Sequence, residues 1–166
     1  MEKRSKPAFK LSNWVLTSTD LSRTIREVKQ LDEYFHQAKL RGKGQPTAIP
    51  KVSRAVEELA QDNGLSILEP KDRQLLLKQL DIIDKHAPVV HFSFPSEPSR
   101  SGLETIVGWL RGNINHYSLV RIGLEPTIGI GCVVRTENKI FDCSLKNRLQ
   151  EKKVLLKQGI EKVSKQ

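Results

Sequence analysis

The stretch PTIGIGCVVRTENKIFDCSLKNRL, Pro126 to Leu149, decides how this chain is read. Gly129 and Gly131 stand just ahead of a β-branched run, where glycine permits a backbone conformation or a close approach that a Cβ blocks. Cys132–Arg135 and Lys139–Cys143 read as two strands, and Thr136-Glu137-Asn138-Lys139 supplies the turn between them, with Asn138 tolerant of positive φ. A two-residue hairpin centred on Glu137 and Asn138 sets Cys132 opposite Cys143 and Val134 opposite Phe141, all on one face. Both cysteines are therefore expected as small, reduced core residues. Asp142 and Ser144 stand where the second strand gives way to a helix, and either side chain can accept from its free N–H groups. That helix starts near Leu145, with Leu145, Leu149, Leu155, Leu156 and Ile160 as its apolar positions.

Upstream of this stretch, Val89 to Phe94 (VVHFSF) alternates as a strand, with Val90, Phe92 and Phe94 on one face. A helix follows over SGLETIVGWLRGNI. Ser101 and Glu104 form a capping box, Leu103, Ile106, Val107 and Leu110 are the buried stripe, Trp109 flanks it and Gly112 ends it. Ser118 to Leu124 is a second strand. Further back, three helices are predicted. The first begins near Thr19-Asp20 and carries Leu21, Ile25, Val28, Leu31, Phe35 and Ala38 at three- and four-residue spacing, up to Gly42 and Gly44. The second follows Pro50 with Val52, Val56, Leu59 and Ala60 inward and stops near Asn63-Gly64. The third starts after Pro70, a residue that suits the first helical turn, and Leu75, Leu76, Leu77, Leu80, Ile82 and Ile83 mark it as the most buried helix. It ends at Ala87-Pro88, because the residue before a proline leaves the α region.

The expected fold class is α+β: a basic arm over residues 1–16, with Trp14-Val15-Leu16 as its anchor, an N-terminal helical bundle over 17–86, and a small two-layer α/β C-terminal domain over 87–166. A chain of 166 residues can bury one good core or two small ones. No run approaches the length of apolar sequence that spans a membrane, and the basic N-terminus has no apolar core of a secretory signal, so a cytoplasmic location is expected. The net charge of +9 sits mostly at the ends. Lys3, Arg4, Lys6 and Lys10 gather at one, and Lys146, Arg148, Lys152, Lys153, Lys157, Lys162 and Lys165 at the other. Basic ends suit an acidic partner helix, an anionic membrane surface or RNA.

Catalytic chemistry is not legible. The only nucleophilic triad that can be assembled is Cys143 with Asp142 and His91 or His116, and nothing in the sequence would lower that thiol's pKa. The Asp81–Asp84 carboxylates fall at the end of an exposed helix face. RGKG at Arg41–Gly44 lacks the order of a phosphate loop. Cysteine and histidine spacing matches no zinc pattern, so no metal or other cofactor is expected.

Pro126, Ile128, Gly129, Val133, Val134, Ile140, Asp142, Ser144, Leu145, Arg148 and Leu149 follow in the order found in another kind of protein. In this the chain resembles the delta subunit of F-type ATP synthases, the oligomycin-sensitivity-conferring protein of mitochondria. Gly129-Ile130-Gly131 stands where that family carries paired glycines, and a peripheral-stalk component of V-type ATPases has a related tail. The resemblance is best from about Ala87 to Leu149. It implies a non-catalytic stator subunit on the cytoplasmic face of a membrane complex, with no small-molecule substrate and no nucleic-acid partner. It further implies that the N-terminal helices, at Leu21, Ile25 and Val28, hold the N-terminal helix of an alpha subunit of the catalytic head. The C-terminal part, with Lys152, Lys153 and Lys157, would engage a b-type peripheral-stalk subunit. Two other readings stand beside it: a basic RNA- or ribosome-associated protein, and a small enzyme with a cysteine nucleophile.

Overall fold

The structure, a computed structural model, describes residues 9–41, 50–136, 138–150, 152 and 153. Three helices come first: α1 (Ser18–Leu40), α2 (Arg54–Asp62) and α3 (Pro70–His86). A four-stranded sheet follows, made of β1 (Val89–Phe94), β2 (Leu119–Leu124), β3 (Val133–Arg135) and β4 (Ile140–Asp142). Helix α4 (Arg100–Asn113) connects β1 to β2, and residues 145–150 are again helical. The architecture is mixed α/β, helices leading and sheet trailing.

Local chemistry sets the helix ends. Thr17 caps α1: its hydroxyl accepts from the Asp20 amide at 3.0 Å, while the Asp20 carboxylate accepts from the Thr17 amide at 3.0 Å. This reciprocal box starts the helix slightly earlier than Thr19-Asp20, with Asp20 as the partner of the cap rather than the cap itself. Pro70 opens α3 at a position where its missing N–H costs nothing. In α4 the cap is Ser99, whose hydroxyl accepts from the Gly102 amide at 3.2 Å. Ser101, the expected cap, already lies inside the first turn, and the helix runs one residue past Gly112.

Helix α1 packs along α3 and against α2. Leu21, Ile25 and Val28 of α1 meet Val56 and Leu59 of α2 and Leu76, Leu80 and Ile83 of α3 in one cluster. Arg73 of α3 is buried within this unit. Its Nε donates to Asp32 of α1 at 2.7 Å, and one terminal nitrogen donates to the carbonyls of Ile67 and Leu68 at 3.0 and 2.8 Å. Its guanidinium lies 4.5 Å from the centre of the Phe35 ring. The expectation that α3 is the most buried helix fails on one side: Leu75 and Ile82 are nearly half exposed. Helix α1 covers the Leu76–Leu80–Ile83 side, and the opposite side faces out.

The sheet order is β2-β1-β3-β4, with β1 and β2 parallel and the other pairs antiparallel. Val89 pairs with Leu119, Phe92 with Val134, and Val134 with Phe141. The last register is the one predicted from a hairpin centred on Glu137-Asn138. Asn138 does not adopt positive φ, however; among the described residues only Gly64, Gly129 and Gly131 do.

Residues 9–17, expected mostly as an arm, are instead a strap built into the fold. Ser12 and Val15 are fully buried and Leu16 nearly so. Lys10 and Asn63 exchange two hydrogen bonds of 2.8 Å, and Trp14 Nε1 donates to Glu58 of α2 at 2.7 Å. The Tyr117 hydroxyl donates to the Phe9 carbonyl at 3.0 Å, and the Val120 amide donates to the Leu16 carbonyl at 3.1 Å. Thr17 then bridges to Val120 in parallel fashion, which covers the β2 edge of the sheet. Extended segments alternate sides, and the strap uses this. Val15 and Leu119 join the core of the helices, while their neighbours Leu16 and Val120 join the core between the sheet and α4.

Candidate functional site

The segment after β2 is organised by two glycines. Residues Pro126–Ile128 form a short 3-10 turn, which hands over to Gly129 at φ 72°. Gly131 has φ 101°, and a Cβ there would meet the Cys143 carbonyl oxygen at 2.5 Å. The sequence expectation of a special conformation and a close approach is therefore met at Gly131 by both causes together. The turn so formed holds the entry to the last helix. The Leu145 amide donates to the Ile130 carbonyl at 2.9 Å, and the Cys143 amide to the Cys132 carbonyl at 2.9 Å.

Ser144 and Asp142 cap as expected. The Ser144 hydroxyl accepts from the Asn147 amide at 3.4 Å, and Asp142 Oδ1 accepts from the Ser144 amide at 2.9 Å. Hydrogen bonding to Asp142 from the Ser144 side chain and from its amide, with Lys146 nearby, holds the Asp142 carboxyl below the usual carboxylate range. Ser144 is buried by this arrangement, whereas Pro126, Gly129, Gly131 and Arg148 are exposed and Ile128 is half-buried.

The apolar residues of this region do not close a core. Ile130, Ile140, Phe141, Leu145 and Leu149 are 41 to 66% exposed. Leu145 and Leu149 are four apart and share a helix face. Lys139, Lys146, Arg148, Lys152 and Lys153 are exposed as well. Lys157, Leu155, Leu156 and Ile160 lie outside the described residues. Cys143 and Phe141 were expected inside and are exposed, because β4 is an edge strand with nothing packed over it among the described residues; Cys132 and Val134, one strand further in, are half-buried. What results is a surface of large aliphatic and aromatic groups among cations, which can bury area against another chain and attract an acidic one.

The N-terminal partner residues need correction. Leu21, Ile25 and Val28 are no more than 8% exposed, so they present no surface to another chain. A face that sequence reasoning missed is the outer side of α3. Leu75 and Ile82 are seven residues apart on it, and Lys71, Lys78 and Lys85 are exposed on the same helix. Each of these two stands one position before an inward residue, Leu76 or Ile83, and so is turned about 100° round the helix from the buried stripe.

An open cleft of about 300 Å³ lies where the strap meets α1, α2 and the start of α4. Trp14 forms one wall, with the Arg100 and Arg54 guanidiniums 4.1 and 5.7 Å from its ring centre. Glu27, on the opposite wall, accepts from the Ser53 amide and hydroxyl. Arg100 also pairs with Glu104 of its own helix at 3.0 Å. No group of three or more His, Cys, Asp or Glu among the described residues is placed to hold a metal ion, and no described helix is long and apolar enough to cross a membrane. No protein-family model matches the chain, and no curated protein sequence matches it.

Proposed function

We propose that this chain is a non-catalytic connector, a peripheral-stalk subunit joining the catalytic head of a proton-translocating F-type ATP synthase to its b-type stalk. The observation that carries this reading is the segment 126–149. Its glycine turn, hairpin and capped helix follow the residue order of the delta family, and they hold five large apolar side chains in solvent. A structure that holds such groups out among lysines is suited to binding a charge-rich helix.

On this reading the C-terminal surface takes the b-type subunit, with Lys152, Lys153 and Lys157 pairing with its acidic positions. The N-terminal helix of an alpha subunit docks on α3 at Leu75 and Ile82, in place of the buried Leu21, Ile25 and Val28. The helices over 17–86 then act as the head-side unit and residues 87–166 as the stalk-side unit, working at the cytoplasmic face of the membrane complex.

Titration of the full chain with two synthetic helices, one from the alpha N-terminus and one from the b-type C-terminus, tests the proposal. Saturable binding of both, the second weakened by charge reversal at Lys152, Lys153 and Lys157 and by salt, is the expected result. Binding of neither, with RNA captured instead with a steep salt dependence, would transfer the basic ends to the RNA-associated reading.

A further inference from the structure

Cys132 and Cys143 face each other across the β3–β4 hairpin. The ladder pairs Val133 with Asp142, and one step outward the Cys143 amide donates to the Cys132 carbonyl at 2.9 Å. Facing residues in such a pair project to the same side, with Cα atoms about 5.5 Å apart. That separation lies inside the range that a disulfide spans, so little backbone movement is needed to join them. Gly131, pressed against the Cys143 carbonyl, fixes the strand end at this point.

The two thiols differ in a way that suits sequential reaction. Cys143 is exposed, and Cys132 is half-buried behind it. Burial, and Cys143 beside it, push the Cys132 thiol up, so it is the weaker nucleophile of the pair in the free protein.

We propose that Cys132 and Cys143 form a reversible dithiol–disulfide site that takes glutathione disulfide as its oxidant. The Cys143 thiolate attacks one sulfur of glutathione disulfide, forming a mixed disulfide and releasing one glutathione thiolate. Cys132 then loses its proton to solvent and attacks the Cys143 sulfur. The second glutathione leaves as thiolate; the chain has given two electrons to the oxidant and two protons to solvent. The product staples β3 to β4 immediately before Ser144, where the capped helix begins. This site is independent of the connector reading, and its test reads the same way whichever partner the chain binds.

Full-length protein equilibrated with glutathione redox buffers, then alkylated with iodoacetamide and weighed intact, decides between the dithiol site and two unrelated thiols. The expected result is a monomer that loses two hydrogens and both alkylation sites in oxidising buffer and regains them in reducing buffer. Cys132→Ser is expected to stop at one glutathione adduct on Cys143. Wild-type protein that keeps two alkylatable thiols, that accumulates the mixed disulfide, or that cross-links two chains would overturn the proposal. If the serine variant does not fold, the wild-type masses alone still give one outcome or the other.

Discussion

Arg111 of α4 donates to the main-chain carbonyl of Val15, nearly a hundred residues earlier in the chain. The same guanidinium reaches the Ser118 carbonyl at 3.3 Å and the Ser12 carbonyl at 3.4 Å. It thus satisfies a curved strap and the entry to β2 at once. Burial lowers its pKa from the usual value, yet an arginine remains charged there. Arg111→Ala strands these carbonyls, and a loss of about 2–4 kcal/mol in urea-unfolding stability is expected. Arg111→Lys, which cannot fork between acceptors, should recover only part of it.

Arg73 plays the corresponding part inside the helical unit, tying α1 to α3 and to the turn at Ile67 and Leu68. Arg73→Met keeps the aliphatic stem but leaves Asp32 and two carbonyls without their donor. A destabilisation of about 2–3 kcal/mol is expected, the partly exposed Asp32 recovering some hydration. Chemical denaturation measures it; a midpoint equal to wild type would show that the staple contributes nothing.

At Gly131 a methyl group meets both a positive φ and the Cys143 carbonyl. Gly131→Ala should cost about 1–3 kcal/mol. The Leu145 amide should lose hydrogen-exchange protection ahead of the helical unit. Gly129→Ala is strained by its φ alone, with nothing within 4 Å of the new atom, and should cost less.

Acid should act locally on the last helix. The folded-state pKa of Asp142 is depressed, so its contribution is present above the ordinary carboxylate range and is lost as pH falls through the folded value. Amide resonances of 144–149 are expected to shift toward random coil at the acid end before those of α1. Asp142→Asn should remove that pH dependence.

Because Leu145 and Leu149 are exposed, changing both to serine should leave the thermal midpoint within a few degrees while weakening the stalk-side helix about tenfold or more. Leu75→Ser with Ile82→Ser should do the same for the head-side helix only. Equal affinities in either pair would move the docking surface elsewhere.

The hairpin register was legible because side-chain period and turn centre together leave one pairing. Helix positions were legible from their apolar stripes. What covers a stripe was not. Leu21, Ile25 and Val28 form a good amphipathic face whether a partner or α2 and α3 lie against it, and facing residues such as Cys132 and Cys143 share a side without that side being buried. The strap was legible only at its Trp14-Val15-Leu16 anchor. Its contacts with Tyr117 and Val120 are set by topology and leave no local period in residues 9–17.

That strap also orders events in time. As the chain leaves the ribosome, Val15 and Leu16 emerge about a hundred residues ahead of the Leu119 side chain and the Val120 amide that they meet. Helices α1 to α3 can form and touch in the meantime, but with two apolar seams still open. Synthesis must pass β2 before either seam closes, so nascent chains shorter than that are the ones a chaperone would meet.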